Sequence, residues 1–193
     1  MGSAQLVKGS GLLRVGWRWE SIDTVKTPGE PAFMTCGDHT TLGPAMTTFP
    51  QPGQYSVRAG CRVAELHPDK ASPVEGCSCG YRMVATVDLA LHYMFRVETL
   101  RHQTNLAGLV LVRVEADGPV VADSFSPPLN SWQCVNARQV RPVWPAFVTD
   151  PAARQLLSMN YHTSEIYLLE KWRQAPAAWM QIKETRHVSS AVR

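Results

Sequence analysis

The chain has 193 residues, of which 45% are hydrophobic and 18% are charged, so it is long enough to bury the core of one domain. Its formal net charge of +3 is too small to predict nucleic-acid binding, which needs basic side chains clustered on one surface. Apolar runs such as residues 106–114 are far shorter than the roughly 20 residues of a membrane-spanning helix, so we expect no membrane association.

The chain starts with a segment that has one lysine and no continuous apolar stretch, residues 1–17. A secretory signal peptide needs such a stretch after its positively charged start. The sequence therefore predicts a cytoplasmic protein, in which clustered cysteines indicate a metal site or catalysis before disulfides. The count of five cysteines is odd, so full disulfide pairing would leave one thiol over.

A strand is predicted in residues 12–20, because apolar and polar side chains alternate there. The apolar set is Leu13, Val15, Trp17 and Trp19, and the opposite set is Arg14, Gly16 and Arg18. Alternating arginines are typical of the solvated face of a sheet. Residues 27–60, rich in proline and glycine, predict a long loop with short strands near residues 31–36 and 54–59.

Three of the cysteines lie in residues 61–82, a stretch otherwise made of loop-forming residues. Cys61, His67, Cys77 and Cys79 form the pattern C-x5-H-x9-C-x-C-G. Four sulfur and nitrogen donors satisfy a tetrahedral zinc ion. A glycine after the C-x-C pair permits the tight turn that directs backbone amides at the sulfurs. The pattern predicts a zinc knuckle with these four ligands.

Two alternatives to this ligand set stay open. Cys36 or His39 could take the place of Cys61 or His67 in the tetrad. The thiols could also be small core side chains packed beside the helix that begins at Thr86, since cysteine is among the most buried residue types.

A zinc enzyme is a further hypothesis, because Glu65, Asp69 and Glu75 supply carboxylates near the ligands. Catalytic zinc keeps an open coordination position. Three thiolates and one histidine leave none, so the ligand set favours a structural zinc. The sequence contains no phosphate-binding loop, dinucleotide fingerprint or nucleophile elbow.

The best predicted helix spans residues 87–103, with Thr86 as its N-cap and Asp88 in its first turn. Its apolar face consists of Val87, Ala90, Leu91, Met94 and Val97. Helical spacing of these side chains predicts that this face packs against the sheet.

A β-hairpin is predicted in residues 108–125, because β-branched runs flank Asp117-Gly118, a favoured turn dipeptide. Residues 131–144 predict a third strand of the same sheet, bent or ended by Pro142.

Two helices are predicted near the C-terminus. Asp150-Pro151 is a typical helix start, leading into residues 152–161. A second helix is predicted in residues 164–175, capped by Ser164, and residues 181–193 are predicted to be a polar tail.

The order of these features resembles a group of small proteins of unassigned activity that are common in actinobacteria and their phages. The matching residues are Trp17, Pro28-Gly29, Cys61, His67-Pro68, Cys77 to Tyr81 and the segment that starts at Trp132. The resemblance implies a zinc knuckle at the Cys, His and C-x-C-G positions and implies no activity. Ser126 to Pro128 depart from the group, which has a tight turn there.

Together these features predict an α+β fold: a small, mostly antiparallel sheet with one principal helix, a zinc knuckle and a helical C-terminal extension. The predicted boundaries are residues 1–148 for the domain and 149–193 for the extension. The predicted function is a non-enzymatic, zinc-stabilised binding or assembly module for a protein partner or for self-assembly.

Three other functions stay open: a nucleic-acid-binding accessory protein of an actinobacterial or phage system, a structural component of a phage particle, and a zinc-dependent enzyme. The nucleic-acid hypothesis requires one shared face for Arg14, Arg18, Arg138 and Arg141, since such binding depends on phosphate contacts.

Overall fold

A computed structural model describes residues 12–23, 33–36, 47–48, 73–74, 79–92, 108–122 and 133–191. These residues form an α+β fold, as predicted, with a mostly antiparallel sheet. Its strands are β1 (Val15–Asp23), β2 (Phe33–Cys36), β3 (Thr47–Thr48), β4 (Tyr81–Val84), β5 (Gly108–Ala122), β6 (Cys134–Val148) and β7 (Ile166–Leu168). Its helices are α1 (Val87–His92), α2 (Pro151–Asn160) and α3 (Ala175–Ala191), with a 3-10 turn (Trp172–Gln174) before α3.

Four strands are connected in a closed circuit of antiparallel pairings, which we call the ring. β1 pairs with β5, β5 with β6 and β6 with β4, and β4 returns to β1 through the single pair Trp17↔Val84. Closing a sheet on itself pairs strand edges that would otherwise stay open. β2 and β3 continue the sheet from the end of β1, and β7 lies parallel to β6.

Two apolar cores lie on opposite faces of the ring strands, since successive strand residues point to opposite sides. The α2-side core joins Val110, Val112 and Val114 of β5 to Leu157 of α2 and to Tyr161, which follows α2. The α3-side core contains Trp17, Leu111, Phe147, Val87, Ala90, Ala175 and Ile182. Each helix thus covers one face of the sheet.

The predicted strand in residues 12–20 and the helix start at Asp150-Pro151 are confirmed. A carboxylate oxygen of Asp150 accepts a hydrogen bond from the backbone N–H of Ala152 at 2.8 Å. Thr86 also behaves as predicted, because its hydroxyl accepts from the N–H of Leu89 at 3.2 Å. Of the predicted helix in residues 87–103, the structure describes the first part as α1, and residues 93–103 lie outside the described residues.

The predicted hairpin turn at Asp117-Gly118 is wrong. β5 continues as one strand through both residues without reversing direction. Its register with β6 shifts from Asp117↔Gln139 to Val120↔Ala137. One extra β5 residue is therefore accommodated as a bulge, and Gly118 supplies the positive φ of 70° for it. β6 is long enough to pair on both sides of the bulge, so the chain does not need to reverse there.

Pro142 is predicted to bend or end the third strand. It does not end the strand, and an irregularity follows it. β6 continues to Val148, and its register with β5 shifts between Val112↔Ala146 and Val114↔Pro142. Pro142 itself stays in register with Val114, and the bulge consists of residues 143–145 of β6, which lie opposite Arg113 alone.

The predicted helix in residues 164–175 is also wrong. Ile166 packs in the α2-side core, whereas Leu169 and Trp172 belong to the α3-side core. Their three-residue spacing therefore does not describe one face of a helix. This segment instead forms β7 and the 3-10 turn, and residues predicted as a polar tail continue α3 to Ala191.

Candidate functional site

The last cysteine of the predicted knuckle lies at a tight corner that leads into β4. Cys79 is 2% exposed, and the following Gly80 has a φ of 111°. A Cβ on Gly80 would lie 3.0 Å from the carbonyl oxygen of Ala137 and 3.2 Å from the Cβ of Asn136. Both the conformation and the close packing require glycine, as the C-x-C-G pattern predicted.

The other three predicted ligands, Cys61, His67 and Cys77, lie outside the described residues, as does the alternative ligand His39. For Cys36 the structure describes only the backbone, as the last residue of β2. Within the described part of the chain, no group of three or more metal-binding side chains occurs. The zinc site thus stays a prediction, of which the structure describes the Cys79 corner.

The two described cysteine side chains have different surroundings. Cys134 is fully buried and belongs to the α3-side core, together with Val87 and Ala90 of α1. It therefore fits the alternative interpretation of a small core side chain beside the helix at Thr86. Cys79 is also buried but belongs to neither apolar core.

A buried amide lies beside the Cys79 corner. Asn136 of β6 is completely buried, and neither its amide nitrogen nor its amide oxygen has a hydrogen-bond partner among the described residues. Such a group costs free energy unless something else satisfies it. The Nε of Arg138, two residues along the same strand, is likewise buried without a described hydrogen-bond partner.

A buried ion pair lies on the α2-side face of β1. The guanidinium of Arg18 donates to the carboxylate of Glu20, and the two side chains are 4% and 0% exposed. Arg18 also donates to the carbonyl oxygen of Arg82 at 3.0 Å and lies 5.2 Å from the centre of the Tyr81 ring. The interpretation of β1 arginines as a solvated face is therefore wrong for Arg18.

Two of the other three arginines of the nucleic-acid hypothesis, Arg14 and Arg138, lie at the bulge at Gly118. The guanidinium of Arg14 donates to the Gly118 carbonyl oxygen at 2.6 Å, and the Arg138 side chain passes beside the same glycine. Arg141 donates to Glu115 through two nitrogens, at 2.8 and 2.6 Å. The structure thus brings Arg14 and Arg138 together at Gly118, whereas Arg141 pairs with Glu115 and Arg18 with Glu20.

A second group of basic side chains surrounds Trp179 of α3. The guanidinium carbon of Arg113 lies 5.1 Å from the centre of the Trp179 ring, and the Nζ of Lys183 lies 5.6 Å from it. Arg186, one turn further along α3, donates to Glu165 at 2.6 Å. We call Arg113, Lys183 and Arg186 the Trp179 cation cluster.

This cluster was missed by the sequence analysis, although part of its signal is local. Trp179, Lys183 and Arg186 follow the i, i+4, i+7 spacing of one helix face. The sequence predicts a polar tail from residue 181, and this boundary separates Lys183 and Arg186 from Trp179. Arg113 is distant in sequence, and only the pairing of Trp17 with Arg113 across β1 and β5 brings it to the same face.

Comparisons with known proteins add no assignment. No protein-family model matches the chain, and neither the curated proteins nor the solved structures include a significant match. Among the described residues, no helix has the length and apolar character needed to cross a membrane. Function is therefore inferred from the side chains themselves.

Proposed function

We propose that the protein is a non-enzymatic binding module in which a structural zinc ion fixes the segment that enters β4. The proposed ligands are Cys61, His67, Cys77 and Cys79. The observation that carries the proposal is the position of Cys79, which is buried yet belongs to neither apolar core. A buried thiol outside both apolar cores is a suitable zinc ligand.

The chemistry around Cys79 fits a metal-bound thiolate. Ligating groups in zinc sites are oriented by hydrogen bonds from neighbouring polar groups. Asn136 offers a buried amide donor beside Gly80, with no hydrogen-bond partner among the described residues. The resemblance to the small actinobacterial and phage proteins favours the same four ligands.

A closed set of three thiolates and one imidazole points to a structural role for zinc. Such a set leaves no coordination position for water or substrate. The metal would hold a segment rich in loop-forming residues against the ring, and the module would bind its partner through its surfaces. We propose a protein partner or a second copy of the chain as the first candidates.

The test compares two buried cysteines. Cys79→Ser is expected to lose zinc and to unfold at a lower temperature, because a tetrahedral site lacks one thiolate. Cys134→Ser is the matched control, which changes a buried thiol of the α3-side core and should lower stability while zinc is retained. Zinc content and thermal unfolding are measured for both variants and for the wild type.

Equal zinc content in the wild type and in Cys79→Ser would overturn the proposal. A wild-type protein purified without added metal that contains no zinc would overturn it as well. Loss of zinc from Cys134→Ser alone would assign the metal to a different set of ligands.

Nucleic-acid binding is a second candidate, and the bulge at Gly118 is the observation that favours it. Arg14, which precedes β1, and Arg138 of β6 both lie beside Gly118. Arginine contacts phosphates and stacks on bases. Glu115 pairs with Arg141 and lowers the local positive charge, which makes this candidate the weaker one.

Its test is the binding of a fluorescent single-stranded oligonucleotide over a series of salt concentrations. If the bulge surface binds phosphates, Arg14→Gln with Arg138→Gln should weaken binding and flatten its salt dependence. Arg173→Gln, an exposed arginine of the 3-10 turn, is the control. Binding that is independent of salt, or that is unchanged in the double variant, would exclude this surface.

A further inference from the structure

The Trp179 cation cluster gathers three positive charges on the α3-side face of the sheet. Arg113 comes from β5, whereas Lys183 and Arg186 come from successive turns of α3. The Trp179 ring forms a T-shaped contact with Trp17, with ring centroids 5.2 Å apart. Trp17 is buried in the α3-side core. It therefore holds in place the Trp179 indole, which Arg113 and Lys183 contact.

The charges of the cluster are only partly balanced. Glu165 accepts a hydrogen bond from Arg186 at 2.6 Å, and both side chains of this pair are more than a third exposed. Among the described residues, Arg113 and Lys183 contact the Trp179 ring and form no ion pair with a carboxylate. Three cations and one carboxylate leave an excess of two positive charges.

Arg113 is the most affected member of the cluster. Partial burial, and then the positive charge of Arg186, lower the pKa of its guanidinium below the usual value. Like charges held close together in a partly desolvated place repel each other. An anion bound between them would remove this repulsion, so the arrangement favours a negatively charged ligand.

The number and type of the donors select among anions. Guanidinium groups donate two parallel N–H bonds to phosphate or carboxylate oxygens, and an ammonium acts as a compact positive charge. A phosphate monoester or inorganic phosphate carries close to two negative charges near neutral pH, which matches the excess charge of the cluster. The Trp179 ring is already covered by Trp17, Arg113 and Lys183, so a ligand would be bound through its charge rather than by stacking.

We propose that Arg113, Lys183 and Arg186 form a binding site for a phosphate group, either free or carried by a small monoester. The site uses none of the proposed zinc ligands: Arg113 pairs with Trp17 of β1, whereas the β4 residues that follow Cys79 and Gly80 pair with residues 134–137 of β6. A failure of either proposal would therefore leave the other unaffected.

The experiment is calorimetric titration of the full chain with inorganic phosphate and, separately, with glycerol phosphate, at constant ionic strength set by chloride. We expect saturable binding of one phosphate per chain. Arg113→Gln and Lys183→Gln should each weaken it about tenfold, the effect of losing one charge-assisted hydrogen bond. Arg173→Gln removes an exposed cation outside the cluster and should leave the affinity unchanged.

Circular dichroism and thermal unfolding of each variant check that weaker binding does not result from misfolding. Arg113→Lys, which keeps the positive charge, should retain part of the affinity. Saturation by glycerol phosphate as well as by inorganic phosphate would assign a monoester, and saturation by inorganic phosphate alone would assign the free ion. The proposal is overturned if phosphate does not saturate the wild type, or if Arg173→Gln weakens binding as much as the cluster variants.

Discussion

Arg18 and Glu20 bury two opposite charges on the α2-side face of β1, next to Tyr81. A buried pair stabilises little in comparison with apolar side chains of the same size, because both ions lose their hydration. Breaking such a pair is costly, since it leaves one charge buried alone. The two residues therefore fix the position of β1 on β4, where Arg18 donates to the Arg82 carbonyl.

Glu20→Gln should lower the free energy of unfolding by about 3–5 kcal/mol, because the buried Arg18 guanidinium would lose the Glu20 carboxylate to which it donates. Arg18→Met with Glu20→Leu replaces both ions by apolar groups and should remain within about 1 kcal/mol of the wild type. Urea unfolding followed by circular dichroism measures both differences. If Glu20→Gln were as stable as the wild type, the ion pair would not contribute to the fold.

Gly80 and Gly118 both have positive φ angles, of 111° and 70°, but their surroundings differ. A Cβ on Gly80 would be 3.0 Å from backbone oxygen, whereas the nearest atom to a Cβ on Gly118 would be 3.7 Å away. Gly80→Ala should therefore cost about 3 kcal/mol, with strain and contact combined, and Gly118→Ala about 1 kcal/mol. Equal costs in thermal unfolding would show that the Cys79 corner is less tightly packed than described.

At the scale of elements, aromatic contacts attach the C-terminal segment to the sheet. Trp17 stacks on Phe147, with ring centroids 5.6 Å apart, and forms a T-shaped contact with Trp179. Trp19 forms a T-shaped contact with Trp172, with ring centroids 4.7 Å apart. The indole N–H of Trp19 donates to the Ala90 carbonyl at 2.7 Å, which also attaches α1. Two tryptophans of β1 thus contact four other elements: β6, α1, the 3-10 turn and α3.

Trp179→Ala should lower the free energy of unfolding by about 2 kcal/mol, because part of the buried area and the ring contact with Trp17 are lost. It should also speed tryptic cleavage at Lys183, since α3 would detach more often. Met180→Ala changes the next, half-exposed residue and should cost less than about 0.5 kcal/mol. Similar effects of the two changes would mean that Trp179 does not dock α3.

Elements with local signals could be predicted from the sequence, and elements that depend on distant pairing could not. Asp150-Pro151 and the alternation in β1 are local, and both predictions are confirmed. Asp117-Gly118 has the local chemistry of a turn, but pairing with β6 on both sides makes it a bulge. The spacing of Ile166, Leu169 and Trp172 looked helical because residues packed on two different cores happened to lie three apart.

The same distinction applies to the candidate sites. The tight corner at Gly80 follows from the C-x-C-G pattern alone. Whether an arginine near β1 is solvated depends on which other elements cover that part of the sheet. The sequence alone therefore does not show that Arg18 is buried and Arg14 exposed. To predict the Trp179 cation cluster, one would need to know that β1 pairs with β5 and that α3 continues through Lys183 and Arg186.

At the scale of the whole molecule, β4, the shortest strand of the ring, closes the circuit of strand pairings. β4 has four residues, pairs with β6 along its length and closes the ring at Trp17↔Val84. It follows directly after Cys79 and Gly80. A zinc ion bound to Cys79 would therefore fix the strand that closes the ring, which explains why a chain of this length would benefit from a metal at one corner.

The most direct measurement is zinc K-edge X-ray absorption on the protein purified without added metal. We predict one zinc per chain with three sulfur ligands at about 2.3 Å and one nitrogen ligand at about 2.0 Å, from Cys61, Cys77, Cys79 and His67. Four sulfur ligands would contradict the role of His67. Absence of zinc, or a shell made mainly of oxygen, would contradict the zinc-stabilised module itself.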